Sequence, residues 1–127
     1  MYTISELAKA LQISPHTLRY YEKEGIMESI RTDSGERRYT EEHDKWLRFV
    51  LKLRETQMPI AQIKKYAMLV KEGEHTTEER LELLKSHLNN IQKQLIELQS
   101  TEEMLQKKVA MYEQWLDQHP RFAGENE

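Results

Sequence analysis

The stretch Thr17-Leu18-Arg19-Tyr20-Tyr21-Glu22-Lys23 sets a guanidinium, two phenols and an ammonium along one short segment. It follows Ile13-Ser14-Pro15-His16, which reads as a helix start with Ser14 as N-cap and Pro15 at the first helical position. In a helix, Leu18 and Tyr21 (i, i+3) take the inner face. Arg19, Tyr20 and Lys23 then project outward as hydrogen-bond donors. Donors of this kind suit phosphates, and His16 and Thr17 at the helix start suit base edges. A second basic cluster, Arg37-Arg38-Tyr39, lies close downstream. The chemistry pointed to is double-stranded DNA binding.

The elements that must hold these groups are legible from pattern. Thr3 with Glu6 makes a capping box, and Ile4, Leu7, Ala8 and Leu11 share one face of a first short helix. Gln12-Ile13-Ser14 turns into a second helix over residues 15–24, which Gly25 ends in the left-handed region. Two short helices across a tight turn form a helix-turn-helix. Residues 30–40 lack a helical period, and Asp33-Ser34-Gly35 is a turn between two extended arms. That hairpin is a wing. Alternation along its return strand puts Arg37 and Tyr39 on one face and Arg38 on the other.

Thr40 caps a third helix running to about Thr56, with Trp46, Phe49, Val50 and Leu53 as its apolar stripe. Pro59 opens a fourth, with Ile60, Ile63, Tyr66, Ala67 and Val70 inward, ending near Gly73. These two form a helical hairpin that completes the core. Trp46, Phe49, Tyr66 and Met68 are also candidate lining for a small-molecule effector pocket. Thr76 or Thr77 caps the last helix, whose apolar positions are Leu81, Leu84, Leu88, Ile91, Leu95, Leu98, Leu105, Val109, Tyr112 and Leu116. Steps of 3 and 4 extend over about five heptads with one break at Glu102. At 1.5 Å per residue the helix is about 55–60 Å long. So narrow and long a stripe needs a partner helix, and the simplest partner is a second copy of the chain.

The fold expected is mainly α: a winged helix-turn-helix head with helical hairpin over 1–73, a dimerisation helix over 76–117, and a short flexible tail over 118–127. Charge follows this division. Residues 1–70 carry 12 Lys/Arg against 10 Asp/Glu and residues 71–127 carry 7 against 12, which together make the net charge of −3. A basic head on an acidic tail is compatible with nucleic acid at the head alone. The 127 residues contain no cysteine, so disulfides, thiolate metal sites and thiol sensing are excluded. No apolar run approaches the roughly 20 residues of a membrane span, and no signal peptide is evident, so a cytoplasmic protein without membrane contact is expected. The five histidines, His16, His43, His75, His87 and His119, lack ligand spacing and read as surface or cap residues; no metal and no cofactor is expected. No carboxylate pair, Ser/His set or phosphate-cradling Gly-rich loop suggests an enzyme.

With those residues in hand, the chain resembles the MerR family of bacterial transcription regulators. The resemblance rests on Tyr2-Thr3-Ile4-Ser5-Glu6-Leu7-Ala8, on Ser14-Pro15-His16-Thr17-Leu18-Arg19-Tyr20-Tyr21-Glu22-Lys23-Glu24-Gly25-Ile26, and on Gly35-Glu36-Arg37-Arg38-Tyr39-Thr40. It covers about the first 70 residues closely and the remainder in architecture only. It implies a homodimer joined by an antiparallel coiled coil, binding a pseudo-palindromic promoter and distorting the spacer for RNA polymerase. Arg19 and Tyr20 match the family's backbone-clamping positions, and Arg37, Arg38 and Tyr39 its wing contacts. Thr3, Ser14, His16, Thr17 and Lys23 complete the expected DNA-binding set. Within the family the chain looks most like short regulators responsive to aldehydes and electrophiles, whose cysteine-bearing members place a thiol in the third helix. Here that region reads Phe49-Val50-Leu51-Lys52-Leu53, without one. No ligand domain is expected beyond the coiled coil, and the effector is unknown. Other readings are an effector-independent repressor or architectural DNA-binding protein, and a coiled-coil protein-interaction adaptor.

Overall fold

In the computed structural model, which describes residues 1–123, two short helices are followed by a two-stranded hairpin and three further helices. They are α1 (Ile4–Leu11), α2 (Pro15–Lys23), β1 (Ile30–Arg31), β2 (Arg37–Arg38), α3 (Glu41–Glu55), α4 (Ile60–Glu72) and α5 (Thr77–Gln118). Local chemistry accounts for the helix boundaries. Thr3 and Glu6 close a reciprocal capping box on α1, and Ser14 caps α2 with Pro15 in its first turn. Thr40 caps α3, and His43 fills the position where Glu or Gln ordinarily stands: its Nδ1 accepts the Thr40 N–H at 2.9 Å. Gly25 follows α2 at φ +77°, a left-handed conformation that would strain a residue with a Cβ.

The wing is antiparallel, with Ile30 opposite Arg38 and Arg31 opposite Arg37. Its tip closes through Gly35 N–H to the Thr32 carbonyl at 2.9 Å, with Gly35 at φ +84°. A further bridge joins Tyr2 and Tyr39, whose backbones exchange both hydrogen bonds at 2.7 and 2.9 Å. The residues preceding α1 thus extend the wing's edge.

The core gathers Leu7, Leu11, Leu18, Tyr21, Ile26, Met27, Tyr39, Leu47, Val50, Leu53, Met58 and Ile63. Two helices differ from their expected stripes. On α3, Leu47 is fully buried while Phe49 is 39% exposed and Trp46 half-buried. The indole N–H of Trp46 donates to the Ile26 carbonyl at 2.9 Å, which holds the ring at the core's edge with its polar atom satisfied. On α4, Leu69 is buried and Val70 exposed. Apolar residues stand at adjacent positions on both helices, so period alone leaves the facing ambiguous by about one residue.

Between α4 and α5 a 3-10 turn spans Glu74–Thr76. Neither threonine there offers its side-chain oxygen as an N-cap acceptor. Thr76 is buried and donates its hydroxyl to the carbonyls of Leu69 and Gly73, both at 2.7 Å, and Thr77 donates to Glu74 at 2.6 Å. The chain divides into two compact units, the first ending at His87 and the second beginning at Leu88. The head therefore extends beyond residue 73 into the start of α5. Leu84 packs against its core, and His87 is buried rather than a surface histidine.

In the second unit α5 runs through Gln118, and residues 119–122, part of the expected tail, turn back onto its last turn. His119 stacks on Trp115 with ring centroids 3.9 Å apart, and a 3-10 turn over Pro120–Phe122 sets Phe122 5.4 Å from the same indole. The rest of the expected tail, residues 124–127, lies outside the described residues.

Candidate nucleic-acid interface

Burial of Leu18 and Tyr21 fixes the rotation of α2 and leaves Arg19, Tyr20 and Lys23 on its outer side. At the helix start, Ser14 Oγ accepts the Thr17 N–H at 3.1 Å and lies 3.0 Å from the Thr17 hydroxyl. His16 is exposed beside them. Thr3 is likewise engaged as a cap, with Oγ1 accepting from Glu6 N–H at 3.2 Å. Thr3 and Ser14 thus serve first in starting the helices that carry the exposed donors.

The wing presents its cations differently. Arg38 pairs with Glu36 and donates to the Arg37 carbonyl at 2.9 Å, holding it along the hairpin. Arg31 donates to the Gly35 carbonyl at 2.9 Å and so braces the turn. Arg37 reaches back toward α2, its Nε 3.4 Å from Glu22 Oε2. Arg37 and Tyr39 share a strand face, as alternation requires, but that face meets Glu22. Tyr39 is fully buried, and its hydroxyl donates to Glu22 Oε1 at 3.2 Å. The expectation that Tyr39 contacts DNA directly is corrected: its ring fills the core beneath the wing, where apolar burial outweighs exposure of an aromatic side chain. Burial, reinforced by the nearby Glu22 carboxylate, pushes the Tyr39 hydroxyl up from its ordinary pKa, so it stays a neutral donor. Tyr21 is also shifted up by burial.

Arg19, Glu22, Lys23, Met27, Glu28, Ser29, Arg31 and Arg37 line one open cleft of about 570 Å³ between α2 and the wing. Four cations face two carboxylates there, which suits an anion at the mouth. Arg31 was missed in the sequence. Strand pairing across Asp33-Ser34-Gly35 could have found it, since it sets Arg31 opposite Arg37.

The candidate effector residues behave otherwise. Trp46 stacks on Tyr66 at 5.8 Å and 11°, and Phe49 lies 6.3 and 5.9 Å from the two rings. The rings pack on one another, and Met68 is exposed. Of the four, only Trp46 lines the open cavity of about 800 Å³ that Met27, Ile30, Val70 and Lys71 help to form. Among the described residues no group of three or more His, Asp or Glu stands close enough to hold a metal ion, and no helix is long and apolar enough to cross a membrane.

Along α5, Leu88, Leu95, Leu98, Leu105, Val109 and Tyr112 are each between 53% and 66% exposed in the single chain. Leu81 is exposed too, while Leu84 and Ile91 are half-buried. Ile96, Met104, Met111 and Trp115 add exposed apolar surface that the heptad reading left out.

Residues 2–68 match the MerR HTH family regulatory protein model, and residues 45–108 match the model described as MerR, DNA binding. An HTH-type transcriptional regulator of Haemophilus influenzae is 35% identical over 113 residues, 88% of this chain and 84% of that one. The HTH-type transcriptional regulator ZntR of Escherichia coli is 35% identical over 109 residues, 84% of this chain and 77% of that one. Among solved structures, HiNmlR, a MerR family regulator lacking the sensor domain and bound to promoter DNA, superposes with a TM-score of 0.82 at 35% identity, covering 89% of this chain and 90% of that one. A MerR family regulator from Listeria monocytogenes gives 0.88 at 30% identity, covering 95% and 92%. The chain belongs to the MerR family of helix-turn-helix regulatory proteins and is a DNA-binding transcriptional regulator of that type.

Proposed function

We propose that the chain binds promoter DNA as a homodimer, with α2 in the major groove and the α2–wing cleft on the flanking phosphates. The convergence of Arg19, Lys23, Arg31 and Arg37 on one cleft is the observation that carries this reading. Guanidinium groups fork phosphate oxygens, while the exposed Tyr20 phenol adds a donor without sequence preference. His16 and Thr17 at the N-terminal end of α2 face base edges in such a docking. Arg38 contacts backbone from the wing.

The α5 stripe is the second part of the reading. A continuous row of half-exposed leucines is the seam of an antiparallel coiled coil between two copies. Two heads at a fixed separation then engage half-sites whose spacing the DNA must accommodate by bending or untwisting, at a cost of about 1–6 kcal/mol. Phosphate contacts from both heads offset that cost, and the deformed spacer is what RNA polymerase meets at the promoter. That the homologous regulator HiNmlR is bound to promoter DNA supports promoter DNA as the ligand.

Footprinting on the chain's own upstream intergenic DNA tests this. A protected site with two-fold symmetry and altered cleavage in its spacer is expected. Uniform, sequence-independent protection would overturn the promoter reading.

A further inference from the structure

Glu22 is the feature that phosphate binding alone does not explain. A carboxylate on the DNA-facing helix, inside a cleft of four cations, repels phosphate, and at close range such repulsion is considerable. Yet its side chain is only 12% exposed and fully engaged. Oε1 accepts the Ser29 N–H at 3.1 Å, from the segment leading into β1, and the Tyr39 hydroxyl at 3.2 Å, from the end of β2. Oε2 faces Arg37 Nε at 3.4 Å. One carboxylate on α2 thus holds the hairpin at both of its roots and at the cationic side chain on its return strand.

We infer that Glu22 is a positioning residue for DNA binding, locking recognition helix and wing into one rigid jaw and aiming the Arg37 guanidinium at phosphate. Glu22 Oε2 stands 3.4 Å from Arg37 Nε, an ion pair with a guanidinium whose side chain is 40% exposed. A guanidinium drawn toward a buried carboxylate samples fewer positions, which lowers the entropy lost when it meets a phosphate. Tyr39 is the second half of the device. Its ring is anchored in the core, its backbone is tied to Tyr2, and its hydroxyl gives the carboxylate a fixed neutral donor. The buried end of this chain of contacts therefore sets the exposed end. The inference rests on the DNA-binding reading, and the test separates the two.

Glu22→Gln is nearly isosteric and keeps an oxygen for Ser29 and Tyr39, so the fold is retained while the ion pair to Arg37 is lost. Mobility-shift titrations on the footprinted site, repeated over a range of salt, are read for this variant, Arg37→Ala and the double variant. Positioning predicts binding weaker by about three- to tenfold despite removal of a negative charge, with a salt slope smaller by about one unit. It also predicts that Glu22→Gln has no further effect in the Arg37→Ala background, a non-additivity that a merely structural role would not produce. Tyr39→Phe, which removes one oxygen, should weaken binding about two- to fivefold. Tighter or unchanged binding by Glu22→Gln would overturn the inference while leaving the interface standing, provided Arg37→Ala still binds weakly. Wild-type binding by Arg37→Ala would remove Arg37 from the interface and overturn the inference with it.

Discussion

His87 Nε2 lies 2.7 Å from Thr56 Oγ1, joining α5 to the C-terminal end of α3 inside the head. The Thr56 hydroxyl also points at the Lys52 carbonyl, at 2.7 Å, and a hydroxyl carries a single hydrogen. With that hydrogen donated to the carbonyl, Thr56 Oγ1 accepts from His87 in the tautomer that carries its proton on Nε2. The first turns of α5 are anchored by this bond together with Leu84, which explains why the head continues to His87. His87→Ala removes the donor and opens a void, so stability should fall by about 1–3 kcal/mol. Urea unfolding of the variant at fixed protein concentration checks this; an unchanged midpoint would show that the bond contributes nothing.

Arg19→Ala and Arg37→Ala should each weaken operator binding by about tenfold at moderate salt. Each should also lower the slope of log affinity against log salt by about 0.9 for every phosphate the variant no longer neutralises. The dimer should be unaffected, since both residues are on the head. Parallel salt titrations by mobility shift decide the matter, and a wild-type slope for Arg19→Ala would remove it from the clamp.

Leu88→Lys combined with Leu95→Lys sets charges at two seam positions that are more than half exposed in the single chain. The head does not depend on either side chain and should keep its helical spectrum. Sedimentation should report monomers, with operator affinity falling because only one head can then engage at a time. A persistent dimer would mean that the copies meet elsewhere.

Tyr39 and Tyr21 have hydroxyls shifted up mainly by burial, so each ionises later in the folded chain than in the unfolded one. Their contribution to stability is therefore full below about pH 10 and is lost as pH rises through the higher folded values. Alkaline unfolding should begin above that pH. Tyr39→Phe should reduce the tyrosine share of this loss. Ultraviolet titration of phenolate formation, compared with unfolding followed by circular dichroism, measures both; ionisation of every tyrosine at its ordinary value with the fold intact would contradict the burial of these rings.

The helix-turn-helix, its caps and the turn of the wing were legible because each depends on residues within a few positions of one another. Thr3 with Glu6, Ser14 with Pro15, and Gly35 at the hairpin tip each act through local backbone geometry. The α5 stripe was legible for the same reason: repeated spacing on one continuous helix needs no knowledge of the rest of the fold. The small shifts on α3 and α4 mark where this reasoning stops. Adjacent apolar residues satisfy the helical period about equally, and the choice of Leu47 over Trp46, and of Leu69 over Val70, is made by what packs opposite.

The chain by itself determined that Arg19, Tyr20 and Lys23 leave the core, because Leu18 and Tyr21 must enter it. It also determined that α5 carries more apolar surface than its own chain covers. Tertiary structure alone decided the fate of Tyr39, of Glu22 and of His87. Tyr39 and Glu22 are 17 positions apart, and Thr56 and His87 are 31 apart. Contacts over such separations depend on where whole elements come to rest. Which polar atoms they bring together in a low-dielectric interior is set by packing, and no period or local propensity encodes it.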